Sequence, residues 1–457
     1  MSDPSDALYT TPAMAAVMAP ANHVRQLLAF EAALARAEAR AGVIPPVAAE
    51  AIAAACQFER FELPDLFARA AAAGTLVAPL VQDLTAQVAE AGKPYVHWGA
   101  TSQDALDTAL MLQLRDGLTL LETDLQRLCH ACARLAAAHR ATLMAGRTLL
   151  QQALPITFGL KAARWLALAA RQLQALRTQR AGLTAQLGGA AGTLAALGER
   201  GLTVAALLAE ELGLAAPELP WHAERDRLAT LAAALAVTAG AMAKIAQDLL
   251  LLAQTEIAEV AEAPAAGRGI SSAMPQKRNP VDTTLALAAA RLAMAQLPLL
   301  LGTMVQEHER AAGALQIEWQ AIRELACYTA GAVARAADAV AGLQVDEGRM
   351  AANLAISGGL ILAESLSMAL APQLGRPEAQ RLVRELVERS QAGGVPFHEA
   401  ARADERVRAA LPPAELERAL DPAAYLGSAD ALIDRALASY AAIGSATKQN
   451  SPDAADL

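Results

Sequence analysis

The chain has 457 residues, of which 54% are hydrophobic and only 3% aromatic, and its formal net charge is −9 at pH 7. This length allows two or three domains, and a composition led by alanine and leucine predicts an aliphatic, helical core. Nucleic-acid binding needs a basic surface, so we expect no nucleic-acid partner.

Four cysteines are present: Cys56, Cys129, Cys132 and Cys327. Cys129 and Cys132 are three residues apart on a predicted helix, but no second pair and no suitably spaced histidine accompanies them. We therefore interpret them as small core residues and predict no metal site. Reduced thiols are typical of a cytoplasmic protein, which is the location that we expect.

No targeting or membrane segment is expected. Acidic residues precede Arg25, the first basic residue, so the start of the chain does not resemble a signal or transit peptide. The apolar run 228–243 is short for a membrane span and is flanked by charge.

Residues 1–102 are predicted to form an N-terminal helical domain. An amphipathic helix over 23–41 ends at Gly42, and a short helix follows at about 47–57. A polar stretch then opens a long helix, in which Thr101 with Asp104 three residues later is typical of a capping box.

Residues 103–345 are predicted to form a central bundle, because leucines recur at steps of three and four over long segments. Nearly all the helix faces are apolar or alanine, so burial against copies of the same chain is expected. Residues 346–457 predict a small C-terminal helical domain with a frayed tail. The fold class is therefore all-α with three helical domains. The five long helices are predicted at about 103–140, Pro155 to Gly188, 223–260, Pro280 to beyond 305 with a kink near Pro298, and 315–343.

Three polar stretches interrupt the helical chain at or near helix ends, where unpaired backbone N–H groups favour anions. They are 97–104, 146–157 and the signature loop, residues 267–281. The loop places two hydroxyls, two cations and an amide within nine residues, which suits proton chemistry beside a carboxylate. Taken singly, each stretch has a simpler interpretation, as a half-buried histidine, a helix cap or a solvated turn.

The signature loop resembles the SSxMPxKxNP pattern of the fumarase/aspartase superfamily, and the resemblance extends from 42–45 to 358–364. It implies a cofactor-free homotetramer with a 20-helix core, whose sites are shared between subunits and bind a small polycarboxylate. A loop serine would move the proton next to a carboxylate. Carried over to this sequence, the catalytic residues are Ser271, Gln152 and Lys277, and the substrate-binding residues are His97, Thr101, Ser102, Arg147, Gln151, Ser272, Met274 and Asn279.

Two positions depart from the superfamily pattern. Most of its lyases are expected to have a histidine where this chain has Gln152 and a glutamate where it has Thr284. Glutamine is neither acid nor base, and a carboxylate leaving group needs no proton because its conjugate acid has a pKa near 4. The loss favours the cycloisomerase branch, in which a carboxylate of 3-carboxy-cis,cis-muconate adds to its own double bond during protocatechuate breakdown.

Local strings over 95–104, 188–198, 221–227 and 306–310 also resemble that branch. Ile270 replaces the usual glycine before the paired serines. The alternatives are an adenylosuccinate- or argininosuccinate-type lyase and a catalytically silent structural member of the superfamily.

Overall fold

The computed structural model describes residues 6–264, 269–270 and 273–449, which form two compact units. The first unit contains 1–125, 172–244 and 285–335, and the second contains 126–171, 245–284 and 336–457. Each of the five long helices contributes residues to both units. The three-domain division stays a prediction.

In the part of the chain that the structure describes, the secondary structure is helical apart from two small sheets, and the predicted all-α class is confirmed. The helices of the first part are α1 (Asp6–Tyr9), α2 (Pro12–Val17), α3 (Pro20–Arg40), α4 (Pro46–Ala55), α5 (Leu63–Ala73) and α6 (Val77–Gln87). Of these, α2, α3 and α4 each begin at a proline, where a missing N–H is harmless and φ is already helical.

The five long predicted helices are present, with different ends for three of them, of which the fourth ends at Gly302 rather than beyond 305. The second begins at Phe158 rather than Pro155, because Pro155 belongs to a strand, and it ends at Ala181 rather than Gly188. The third ends at Leu252 rather than 260. Pro298 lies inside the fourth. The helices are α7 (Ser102–Ala138), α8 (Phe158–Ala181), α10 (Asp226–Leu252), α11 (Val281–Gly302) and α12 (Ala314–Ala341), with the shorter α9 (Gly201–Leu212).

The C-terminal part consists of shorter helices around a core that includes Leu366, Leu386 and Phe397. They are α13 (Glu347–Ala355), α14 (Ala363–Leu374), α15 (Arg376–Gly393), α16 (Phe397–Ala403), α17 (Glu405–Ala410), α18 (Pro413–Ala419) and α19 (Ala429–Gln449). The strands, which the sequence did not predict, are β1 (Leu143–Thr148), β2 (Gln151–Thr157), β3 (Val260–Ala261) and β4 (Gln344–Val345).

The first unit has an aliphatic core in which α3, α4, α6 and α9 pack with the start of α7. Its fully buried members include Leu27, Phe30, Leu66 and Leu84. Cys129 and Cys132, which belong to the second unit, are both 0% exposed and are core residues as predicted. Because α3 and α7 share this core, polar residues on α3 lie behind the polar start of α7.

Candidate active site

The start of α7 is held by one buried carboxylate, Asp104. Its oxygens accept hydrogen bonds from the backbone N–H groups of Thr101, Gly188 and Gly189 at 2.9–3.0 Å and lie 2.6 Å from Nε2 of His222. The bond to Thr101 is one half of the predicted capping box. Asp104 is 0% exposed, so it positions this end of the helix and is not itself open to a ligand.

His97 lies just before this helix in a strained backbone conformation, with φ of +56°. Its Nδ1 is 2.6 Å from Oε1 of Glu31, a carboxylate that is 2% exposed. Burial lowers the pKa of His97, but the charge and hydrogen bond of Glu31, with a smaller contribution from Asp104, raise it overall. The pair therefore favours the cationic ring, which suits the predicted role of binding a carboxylate.

Arg310 is a cation at this site that the sequence analysis did not place among the site residues. Its guanidinium donates to Oγ1 of Thr101 at 3.0 Å, to Oε1 of Gln103 at 3.2 Å, and to the carbonyl oxygens of Gly189 and Ala190 at 3.3 and 3.1 Å. Among the described residues it contacts these neutral oxygens and no carboxylate. Its charge is therefore available to an anion beside Thr101 and Ser102, the first residue of α7.

A buried ion triad fixes the segment before α10. Arg225 forms a bidentate bond to Asp107 at 2.8 and 2.9 Å and contacts Glu318 at 2.6 Å, and all three side chains are at most 2% exposed. Burial raises the pKa of Glu318 more than Arg225 lowers it. Arg225 is the single cation between these two acids, and its contacts hold α7 and α12 against the segment that precedes α10.

The second polar stretch is a β-hairpin, with β1 antiparallel to β2 and Thr148 paired with Gln151. Leu149 and Leu150 form its two-residue turn with φ of +50° and +65°, and they are 96% and 73% exposed. Such a turn normally uses asparagine or glycine, so two leucines gave no turn signal in the sequence. Gln151 is exposed at the same tip.

Two residues of this hairpin that were predicted in the site are engaged inside the chain. Arg147 forms a bidentate bond at 2.7 and 2.9 Å to Glu259, which is 0% exposed, so a substrate contact must use the N–H groups that remain. The Gln152 amide donates to the carbonyl oxygen of Asn353 at 2.7 Å, and its own buried Oε1 has no hydrogen-bond partner among the described residues. A catalytic role for Gln152 stays a prediction.

The signature loop is closed at its neck by backbone contacts. The N–H of Asn279 donates to the carbonyl oxygen of Gly269 at 3.0 Å, and Ile270 pairs with Arg278. Gly269 has φ of +71°, and a Cβ there would meet a backbone oxygen at 2.7 Å, so this neck requires glycine. Ser271 and Ser272 lie outside the described residues.

The described part of the loop lines a pocket of about 230 Å³ with Lys277 and Asn279. Lys277 is exposed, Asn279 is partly buried, and Met274 is 43% exposed. At the adjoining helix, Glu262 accepts hydrogen bonds from the N–H and Oγ1 of Thr283 at 2.7 and 2.5 Å and thereby occupies the N-terminus of α11. The hydroxyl of Thr284 donates to the carbonyl oxygen of Pro280 at 2.7 Å, a bond within the first turn of its own helix.

The predicted site residues therefore belong to both units. His97, Thr101 and Ser102 lie in the first unit with Arg310. The hairpin residues Arg147, Gln151 and Gln152 and the loop residues Met274, Lys277 and Asn279 lie in the second. Their convergence on one site, with Ser271 and Ser272, stays a prediction. Among the residues that the structure describes, no cluster of three or more metal-ligating side chains occurs.

Comparisons with known proteins assign the family. A lyase family model matches residues 3–295, and a model of the adenylosuccinate lyase C-terminus matches 359–436. The chain is 48% identical over 443 residues to a 3-carboxy-cis,cis-muconate cycloisomerase of Pseudomonas aeruginosa, covering 96% of each chain. It is 43% identical to a nitrosuccinate lyase of Streptomyces davaonensis, covering 93% of this chain and 92% of the relative.

The crystal structure of the 3-carboxy-cis,cis-muconate lactonizing enzyme from Pseudomonas putida has the same fold. The TM-score is 0.90 at 42% identity, and the match covers 96% of this chain and 99% of that one. The chain therefore belongs to the lyase family of the fumarase/aspartase superfamily, as the signature loop predicts.

Proposed function

We propose that the protein is a cycloisomerase that converts 3-carboxy-cis,cis-muconate to 4-carboxymuconolactone in protocatechuate breakdown. The observation that carries this proposal is the likeness to a cycloisomerase over 96% of both chains. The site chemistry agrees with it, because the hairpin carries a glutamine and no histidine that could protonate a leaving group.

In this reaction an oxygen of one substrate carboxylate forms a bond to a carbon of the substrate's own double bond. The π electrons move toward a neighbouring carboxylate, which becomes an aci-carboxylate, and a proton then adds to the adjacent carbon. No group leaves, and the reaction takes up one proton, which the proton donor must regain from solvent. The attacking group belongs to the substrate, and binding therefore supplies the proximity that a bimolecular reaction lacks.

The substrate has three carboxylates, which need several cations and donors. His97, Thr101, Ser102 and Arg310 would bind one of them at the start of α7, where the helix N-terminus adds a favourable dipole. Lys277 and Asn279 would stabilise the negative charge that develops on the aci-carboxylate. Ser271 would deliver the proton to carbon.

We also propose a cytoplasmic homotetramer with shared sites. By length and composition, α10 and α11 are apolar enough to cross a membrane, and only 28% of the most apolar window of α11 is buried within the chain. Leu299, Leu301 and Val305 are 51%, 46% and 86% exposed. Copies of the same chain would cover these side chains, as in a bundle made from several subunits.

The test is an ultraviolet assay that follows loss of the diene absorbance of 3-carboxy-cis,cis-muconate, with adenylosuccinate, argininosuccinate and nitrosuccinate as parallel substrates. We expect turnover of the first alone. Ser271→Ala should abolish most of it and keep the fold, while Ser439→Ala, at an exposed serine of α19, should not change it. Turnover of one of the other three would refute the proposal. Unchanged turnover by Ser271→Ala would remove that serine from the mechanism.

A further inference from the structure

Two buried acids lie on one face of α3, behind the start of α7. Glu31 and Glu38 are seven residues apart, so they share a helix face, and they are 2% and 0% exposed. One of their four carboxylate oxygens, Oε1 of Glu31, contacts Nδ1 of His97 at 2.6 Å. The other three are buried without a hydrogen-bond partner in the described structure.

Two cations of the same helix pair with other acids. Arg36 contacts Glu211 of α9 at 2.8 Å, and Arg40 contacts Glu211 at 2.8 Å and Glu210 at 3.0 Å. An unpartnered ionised carboxylate in an apolar core is costly, and such a group takes up a proton instead. Burial, helped by the negative charge of Glu31, accordingly raises the pKa of Glu38 to about 9.

We infer that Glu31 is a positioning residue whose negative charge keeps the ring of His97 cationic toward a substrate carboxylate, while Glu38 behind it is a buried neutral acid. This inference rests on the proposed function for the identity of the carboxylate. Glu31 carries the charge because His97 is its partner, and Glu38 carries the proton because it has none.

The groups around this pair leave Glu31 as the main source of charge for His97. Asp104 is the other acid that acts on the ring, but its oxygens accept bonds from Thr101, two glycine N–H groups and His222. Burial raises the pKa of the nearby Cys56 thiol to about 12, so this thiol stays neutral. Nδ1 is the ring atom that Glu31 holds, which leaves Nε2 for a ligand, and the side chain is 15% exposed.

The experiment compares Glu31→Gln, Glu38→Gln and the matched control Glu50→Gln, which changes an exposed glutamate of α4. The pH titration of His97 is followed by NMR on histidine-labelled protein, and the His97→Asn variant identifies its signal. Glu31→Gln should lower the pKa of His97 by about 1 to 3, the effect of removing an adjacent opposite charge. Glu38→Gln and the control should leave the pKa of His97 nearly unchanged, because Glu38 is already neutral where His97 titrates.

Kinetics separates positioning from structural damage. At a pH where only the variant ring is neutral, Glu31→Gln should raise KM about tenfold and change kcat much less, equivalent to about one lost charge contact. Glu31→Asp keeps the charge and should restore part of the pKa and of KM. If Glu31→Gln does not fold, Glu31→Asp and Glu38→Gln are titrated in its place. The shorter aspartate moves the carboxylate away from His97 and should lower the pKa of the ring. An unchanged pKa of His97 in Glu31→Asp then refutes the inference.

An unchanged pKa of His97 in Glu31→Gln overturns the inference. The inference is also overturned if Glu31→Gln lowers kcat and raises KM while its activity keeps the same pH profile as the Glu50→Gln control. The titration needs no substrate, so it still decides the matter if 3-carboxy-cis,cis-muconate is not turned over. In that case the proposed function fails separately, and carboxylate binding is followed at the His97 signal.

Discussion

Replacement of Glu38 by glutamine tests whether a neutral acid lies in the core of the first unit. The carboxyl is 0% exposed, and burial raises its pKa from 4.5 to about 9. Between these values the folded protein holds a proton that the unfolded chain has lost, so stability falls by about 1.4 kcal/mol for each pH unit. This stability is fully present below pH 4.5 and is lost as the pH rises toward 9.

Glutamine does not titrate, so the difference in the free energy of unfolding between Glu38→Gln and the parent should change by about 3 kcal/mol from pH 6 to pH 8, in favour of the variant. The amide brings one more unpartnered donor, which costs about 1–3 kcal/mol, but this penalty does not depend on pH. Urea unfolding followed by circular dichroism at fixed protein concentration measures the difference. Glu50→Gln should run parallel to the parent. If Glu38→Gln also runs parallel to it, Glu38 is not a buried neutral acid.

Three further changes probe the site and its frame. Arg225→Met strands two buried carboxylates and should cost about 3–5 kcal/mol in urea unfolding, whereas Arg227→Met, which breaks an exposed ion pair, should cost much less; equal losses would contradict the ion triad. Gly331→Ala puts a Cβ 2.0 Å from the backbone carbonyl oxygen of Tyr9, at the end of α1, and should speed proteolysis near that residue. Gly302→Ala, where a Cβ meets nothing within 4 Å, should not. Arg310→Gln removes the cation beside Thr101 and should raise KM about tenfold or more with a smaller change in kcat; an unchanged KM would exclude Arg310 from substrate binding.

The sequence predicted the parts of the fold that depend on nearby residues. Leucine periodicity placed α7 and α12 to within about three residues, because an amphipathic helix repeats its pattern every 3.6 residues. The bond between Thr101 and Asp104 spans three residues and follows from the same local geometry. The family also followed from one continuous stretch, the signature loop, and the comparisons confirm it.

The hairpin was missed because its turn violates the usual preference. Leu149 and Leu150 occupy left-handed positions that favour asparagine and glycine, and Pro155 in β2 read as the first turn of a helix. The partner of Arg147 was equally hidden, since Glu259 lies 112 residues away. Local propensity carries no information about such pairings.

By itself the sequence determined the helical class and the family, because each is encoded in a short pattern, and it predicted the residues that carry the chemistry. Only the tertiary structure decided which charges are free. It showed that Arg147 is engaged by Glu259, that Arg310 contacts only neutral oxygens among the described residues, and that Glu31 lies against His97, 66 residues away. The physical reason is that burial and long-range contacts set the protonation and availability of a side chain, and neither is local in sequence.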